Sequence, residues 1–201
     1  MTIDCYDVDS DQDFIFKIKN LAAPEPELSR VWPKKQTECE VSRTAGDMSD
    51  VEKKALAASH YSRKDLKYLY EFCAENDPDD SYAKLTASEE QIPELRGWLL
   101  MCPHHPNAKG WRAALVRGEQ EQKVRKAGRI FDAGTFRVGK DIKPGTYEIA
   151  GDIEDCYWER QDRSGRPIDN AFIDHARRVQ VTIRSTDYAF SSEGCGTWRP
   201  S

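Results

Sequence analysis

The sequence has no long hydrophobic run. Its longest apolar stretch, Trp98 to Cys102, is far shorter than the roughly 20 residues that a helix needs to cross a bilayer, so no membrane span is predicted. Basic residues are not in excess either, because 30 lysines and arginines stand against 35 acidic residues and give a formal net charge of −5. Bulk binding of nucleic acid needs a basic face, so nucleic acid is not predicted as a partner.

Apolar residues are also scarce. They make up 38% of the 201 residues, whereas charged residues make up 32%. This balance favours small domains with a high surface-to-volume ratio over one large core. The first residues, MTIDCYDVDSDQD, carry acids where a signal peptide has a basic segment, and no apolar segment follows. We therefore expect no signal peptide in this chain.

Cysteine, in contrast, occurs six times. The spacing groups the cysteines into one pair per segment, although other connectivities remain open. The predicted disulfides are Cys5–Cys39, Cys73–Cys102 and Cys156–Cys195. Disulfides persist in oxidising compartments and are rare in the cytosol. A disulfide framework and a missing leader point in opposite directions, and a virion protein, made in the cytosol but acting outside the cell, would reconcile them.

Residues 1–46 are predicted to form an extended N-terminal arm with one strand. Phe14, Phe16 and Ile18 fall at every second position, which is typical of a strand with one apolar face. Three prolines between residues 24 and 33 favour an extended chain after this strand.

Residues 47–128 are predicted to form an α-helical region, because the apolar period changes to that of a helix. Three serines, each followed three residues later by an acidic residue or glutamine, indicate helix starts. A proline opens a fourth helix, and Gly128 ends it. The start signals are Ser49/Glu52, Ser62/Asp65, Ser88/Gln91 and Pro106.

Residues 129–201 are predicted to form an antiparallel β-sandwich of jelly-roll type. Short runs of β-branched and aromatic residues alternate with turn dipeptides and indicate about seven short strands. The clearest run places Val179, Val181 and Ile183 on one face. The predicted fold class is therefore α+β, a small helical region followed by an antiparallel β-sandwich.

Several consecutive motifs carry a resemblance. The segments VGKDIKPGTYEI, CYWER and VTIRSTDYAFSSEGCGTW, within Gly134 to Trp198, are similar to an uncharacterised β domain of actinobacterial secreted proteins and lipoproteins, also found in phages of those hosts. The segments LYEFCAENDPDD and LLMCPHHP resemble a companion region of such proteins. The resemblance implies an extracytoplasmic module and a disulfide between Cys156 and Cys195. It implies no activity, because the family has none assigned.

The sharpest candidate for a metal site is the cluster of Cys102, His104 and His105, with Cys73 and His60 upstream. Thiolate and imidazole are the ligands that zinc prefers. The competing interpretation is a Cys73–Cys102 disulfide, which requires the loop between the second and third helices to fold back. We favour the disulfide and predict no metal and no cofactor.

A nucleophile, a base and an acid could be assembled from Cys156 or Ser191 with His175 and Asp174. No nucleophile-elbow motif supports this set, so no catalytic residue and no enzymatic activity are predicted. Trp158 is interpreted as a core residue.

The interpretation that follows is a non-enzymatic structural or binding protein with a protein partner or assembly, and a homo-oligomer is possible. The first hypothesis is a virion component of an actinobacteriophage, either a capsid decoration or a tail-associated protein. The alternatives are an actinobacterial cell-envelope interaction module and a zinc-binding enzyme or regulator. The expected location is the virion, the extracellular space or the cell envelope.

Overall fold

The structure, a computed structural model, describes residues 1–42, 46–77, 82 and 84–201. The chain forms two compact units, Met1–Glu119 and Gln120–Ser201. Helices and a three-stranded antiparallel sheet build the first unit, and a five-stranded antiparallel sheet builds most of the second. The predicted fold class, α+β with an antiparallel β-sandwich, is confirmed.

The described residues of the N-terminal unit form three strands and five helices, the last of which continues into the second unit. A single turn of 3-10 helix precedes the third helix. These elements are β1 (Thr2–Asp7), β2 (Gln12–Lys17), α1 (Glu25–Leu28), β3 (Gln36–Ser42), α2 (Asp50–Ser59), α3 (Leu66–Ala74), α4 (Gln91–Met101) and α5 (Ala108–Lys126).

The interpretation of residues 1–46 as an extended arm with one strand is wrong. Strands β2, β1 and β3 form a sheet in that order, and their residues share one core with the helices. Buried polar side chains hid the alternation of β1 and β3, because Asp7 and Gln36 occupy inward positions. The stretch predicted as extended also contains α1, since proline is tolerated in the first turn of a helix. Of the predicted arm, residues 43–45 lie outside the described chain.

The predicted helix starts at Ser49 and Ser88 are confirmed, whereas Ser62 precedes the turn of 3-10 helix before α3, and α5 begins at Ala108, two residues after Pro106. At α2, the Ser49 hydroxyl accepts the Glu52 N–H at 3.4 Å, and the Glu52 carboxylate accepts the Ser49 N–H at 2.7 Å. The same reciprocal arrangement joins Ser88 to Gln91 before α4. These bonds satisfy N–H groups that the helix itself leaves without partners.

The strands of the C-terminal unit pair in the order β4-β7-β5-β6, with one more short strand beside β5. Its core contains Tyr147, Trp158, Val181, Phe190 and Trp198. The strands are β4 (Gly134–Arg137), β5 (Gly145–Gln161), β6 (Pro167–Ile183), β7 (Ala189–Glu193) and β8 (Arg199–Pro200).

The unit has five strands and not about seven, because two of them are 17 residues long. The register between β5 and β6 shifts between Ala150 and Ile153, which marks a β-bulge. A bulge bends a strand without ending it. β5 therefore pairs with β8 at one end, through Tyr147 and Glu148, and with β7 at the other. A pattern of short runs cannot distinguish such a bend from a turn.

None of the described helices combines the length and the apolar character that crossing a membrane requires.

Candidate functional site

Three disulfides hold the chain: Cys5–Cys39, Cys73–Cys102 and Cys156–Cys195. Each half-cystine is at least 95% buried. The first bond joins β1 to β3, the second joins the ends of α3 and α4, and the third joins β5 to the segment after β7. On the chain-entropy model each closes a loop that is worth about 3.5–4 kcal/mol.

The bond between α3 and α4 is possible because both helices present their C-terminal ends at the same place. Leu69 lies one turn before Cys73 and also packs close to Gly97, about one turn before Cys102. The helices therefore run in the same direction. The connection between them is the loop that had to fold back, of which residues 78–81 and 83 lie outside the described chain.

The residues of the zinc hypothesis have other partners. Cys102 has no free thiolate in the disulfide-bonded chain. His104 is exposed and its Nδ1 lies 3.0 Å from a carboxylate oxygen of Glu25. His105 is buried and uses both ring nitrogens: the Asn107 N–H donates to Nδ1 at 3.1 Å, and Nε2 donates to the Glu75 carbonyl at 2.6 Å.

His105 is a packing residue. Its ring stacks on Trp111 at 4.4 Å and meets the edge of Trp32 at 5.1 Å. The fifth residue of that hypothesis, His60, occupies the left-handed position that ends α2. Among the described residues no group of three potential ligands forms a metal site.

The candidate catalytic residues are not assembled either. Cys156 is in a disulfide, and the Ser191 hydroxyl lies 2.8 Å from that of Thr135 on the neighbouring strand. The His175 side chain is 63% exposed and lies 3.6 Å from Glu154 across the sheet. The geometry therefore provides no hydrogen bond from a nucleophile to this histidine.

Both tryptophans near the third disulfide belong to the core. Trp198 is fully buried, and its indole N–H donates to the Ser192 hydroxyl at 3.0 Å. Trp158 is 9% exposed and stacks on Phe190. Neither ring is available as an open aromatic platform for a ligand.

Sequence reasoning missed a buried ion pair in the C-terminal unit. Arg160 makes two hydrogen bonds to Asp187, at 2.7 and 2.9 Å, and a third to Asp169 at 3.0 Å. Burial acts to raise the pKa of Asp187, but the bonds from Arg160 and from the Arg184 N–H prevail and hold the pKa below its ordinary value. The pair ties β5 to the loop between β6 and β7. In the sequence, the one indication of this ion pair was an arginine close to the apolar residues of the segment CYWER.

An acidic cleft of about 540 Å³ lies beside the first disulfide. Asp4, Asp13, Glu38 and Glu40 contribute carboxylates to it. A cluster of this kind is a common solvated edge, and the described residues converge on no metal position there.

The strongest candidate for a binding surface is strand β6, at one edge of the C-terminal sheet. Ile168 and Phe172 are 55% and 62% exposed on this strand. Phe172 lies directly opposite Tyr157 of β5, so these two side chains share one face of the sheet, and Ile168 is exposed at the register shift near the start of β6. We call Tyr157, Ile168 and Phe172 the outer patch.

A polar group borders the outer patch. The Tyr157 hydroxyl donates to the Glu159 carboxylate at 2.7 Å, and this hydrogen bond raises the pKa of Tyr157. An aromatic and aliphatic centre with a polar margin is the usual composition of a protein-binding surface. The arrangement suits contact with another protein.

Residues 128–199 match the family model of the Rv1352-like extracellular domain. The matched segment is well under half of the 201 residues and coincides with most of the C-terminal unit. The match agrees with the resemblance to an actinobacterial secreted-type domain and has no bearing on phages. No curated protein and no solved structure matches the chain.

Proposed function

We propose that this chain is a non-enzymatic binding module that works outside the cytoplasm, at the cell envelope or in the extracellular space. The main support for this proposal is the combination of three buried disulfides with a C-terminal unit similar to an extracellular domain. Disulfides of this kind persist where thiols are not kept reduced.

The outer patch is the surface that serves binding in this proposal. Its two large apolar side chains on β6 are exposed although the same strand supplies Val181 and Ile183 to the core. Exposed apolar groups that cluster on one face commonly mark an interaction site. The virion hypothesis has no support from the family match, and a role at the cell envelope is the better proposal.

Location is tested by blocking thiols in intact cells that produce the full chain. A membrane-impermeant alkylating reagent is added, the cells are fractionated, and the cysteines are read by mass spectrometry before and after reduction. We expect the chain in the envelope or medium fraction, unlabelled until it is reduced. A chain found in the cytoplasmic fraction with all six cysteines reduced would overturn the proposal.

The zinc alternative is tested by metal analysis after purification without added zinc. We expect no stoichiometric zinc, and we expect His104→Ala to leave stability unchanged, because this side chain is exposed. His105→Ala should destabilise the N-terminal unit, because the imidazole packs between two tryptophans. One equivalent of zinc, lost in both variants, would favour a metal-binding protein instead.

A further inference from the structure

Strand β6 has one edge without a partner. It pairs with β5 along one side, and no strand pairs with its other side in the part of the chain that the structure describes. An unpaired edge presents a row of N–H and C=O groups that can bind another strand. Proteins usually keep such edges short, whereas β6 runs over 17 residues.

The charges of β6 are separated along its length. The first half, residues 167–174, contains two acids and no basic residue: Asp174, and Asp169, which also bonds to Arg160 of its own chain. The second half, residues 175–183, contains Arg177, Arg178 and a histidine and no acidic residue. Charges that only protect an edge from pairing need no such order, because any charge serves that purpose.

We propose that two copies of this chain associate by antiparallel pairing of their β6 strands about a two-fold axis. The inference rests on the proposed function in one respect, because it names the partner of the surface that includes Ile168 and Phe172. A two-fold axis brings the same patch of each copy together, and for an edge strand this produces an antiparallel pair.

Antiparallel pairing places the acidic half of one strand beside the basic half of the other, at both ends of the interface. In a register centred on Ala176, for example, Asp174 of each copy lies opposite Arg178 of the other, whose guanidinium also bonds to Glu148 of its own chain. Parallel pairing would place like charges side by side, which is destabilising. The pattern is therefore complementary to itself in the antiparallel direction alone, and such complementarity selects partners.

The hydrophobic residues of β6 agree with this arrangement. Main-chain hydrogen bonds between the two edges would extend each sheet, and the side chains on its faces would provide further contacts. Pairing would bring the exposed Ile168 and Phe172 of each copy beside the strand of the other. The result is one continuous sheet across two copies.

The test uses two variants of the full, disulfide-bonded chain. Arg177→Glu with Arg178→Glu makes the whole strand acidic, and Asn170→Lys with Asp174→Lys makes it predominantly basic. We expect the wild-type protein to be a dimer by sedimentation velocity. Each variant alone should dimerise at least about tenfold more weakly, and an equimolar mixture should form a heterodimer.

Lys109→Glu with Lys123→Glu is the matched control, because it changes the net charge as the acidic variant does but at exposed positions of α5. We expect it to dimerise like the wild type. Peptide mapping of each variant should show the same three disulfides, and its melting temperature should be close to that of the wild type, which establishes that each one folds.

Three results would overturn the inference: a monomeric wild-type protein at the highest soluble concentration, a dimer that neither variant weakens, or weakened variants that fail to combine. A monomer with intact disulfides in the envelope fraction would leave the proposed function standing. A dimer with reduced cysteines in the cytoplasm would overturn the proposed function and leave the dimer standing. The two failures are therefore distinguishable.

Discussion

In the N-terminal unit, two disulfides fasten the sheet and the helices, whereas the C-terminal unit has one disulfide and a buried ion pair. The first unit also buries more polar groups that are hard to satisfy. The Gln36 Oε1 atom and the Trp98 indole N–H are buried without a hydrogen-bond partner in the described chain. Each such group costs about 1–3 kcal/mol.

The C-terminal core, in contrast, follows the alternation of its strands. Tyr147 and Ile149 on β5 lie opposite Val181 and Val179 on β6, and all four are buried. Its buried charges, Arg160 and Asp187, satisfy each other. The comparison suggests that covalent bonds compensate for an interrupted core in the first unit and only supplement a continuous one in the second.

Reduction of all disulfides should produce the largest difference in stability between the two units. The N-terminal unit would lose two bonds, worth about 7 kcal/mol together, and the C-terminal unit one, worth about 4 kcal/mol. Because domains are typically stable by about 5–15 kcal/mol, we expect α3 and α4 to lose hydrogen-exchange protection before β5 and β6 do. The oxidised chain is the control, and earlier loss of protection in the C-terminal sheet would contradict the comparison.

Removal of the buried acid should strongly destabilise the C-terminal unit. Asp187→Ala leaves Arg160 buried without its main partner and should cost about 3–5 kcal/mol. Asp169→Ala is the matched control: its side chain is 52% exposed, so we expect a cost below about 1 kcal/mol. Urea unfolding measures both, and equal losses would show that the ion pair does not hold this core.

A tight turn beside the third disulfide provides the next test. A Cβ on Gly194 would lie 2.4 Å from the Asp155 carbonyl oxygen, and Gly194 has a φ of +69°. Gly194→Ala should therefore cost about 2–4 kcal/mol, from the clash and the backbone strain together. Gly139 has a φ of +82° and open space around it, so Gly139→Ala should cost only about 1–2 kcal/mol. Thermal melting would contradict this reasoning if Gly139→Ala lowered the melting temperature more than Gly194→Ala did.

Lowering the pH should reduce the contribution of Asp162 to the stability of the C-terminal unit, and it should relieve the unfavourable contribution of Glu75 in the N-terminal unit. The Ser164 hydroxyl and the Arg166 N–H bond to Asp162 and lower its pKa from 3.8 to about 2. A lowered folded pKa contributes stability above the unfolded value, and this contribution is lost as the pH falls through the folded value. Burial raises the pKa of Glu75 instead, so its charged form weakens the N-terminal unit at neutral pH.

We therefore expect Glu75→Gln to stabilise the N-terminal unit slightly at pH 7, by less than about 1 kcal/mol, and to reduce the dependence of its stability on pH above the ordinary glutamate pKa. The substituted amide retains an oxygen that can accept the Cys39 N–H, which Glu75 accepts at 3.1 Å. Hydrogen exchange between pH 4 and pH 7 would measure the change. A destabilised variant at pH 7 would show that the charge of Glu75 is favourable.

The local signals of the sequence predicted most helix starts, because a serine with a partner three residues later specifies a cap without help from the rest of the chain. The pair Ser49 and Glu52 is the clearest case. The sheet of residues 1–46 was not predictable in the same way. Asp7 can be buried because Lys34 bonds to it at 2.7 Å. No residue near Asp7 in the sequence predicts this contact with Lys34.

The candidate site also combines features that local sequence can predict with features that depend on tertiary structure. The exposure of Phe172 depends on the face of β6 on which it lies, and this face follows from the pairing of β6 with β5. The partner of Arg160 also depends on tertiary structure, since Asp187 is 27 residues away. For the cluster at Cys102, the sequence could name the possible ligands, but only the direction of α3 and α4 decides that Cys102 meets Cys73.

The central claim, a disulfide-stapled module that acts outside the cytoplasm, is tested most directly by peptide mapping without reduction on protein taken from its natural source. We expect three linked peptide pairs, Cys5 with Cys39, Cys73 with Cys102 and Cys156 with Cys195. Six free thiols in the folded native protein would contradict the account.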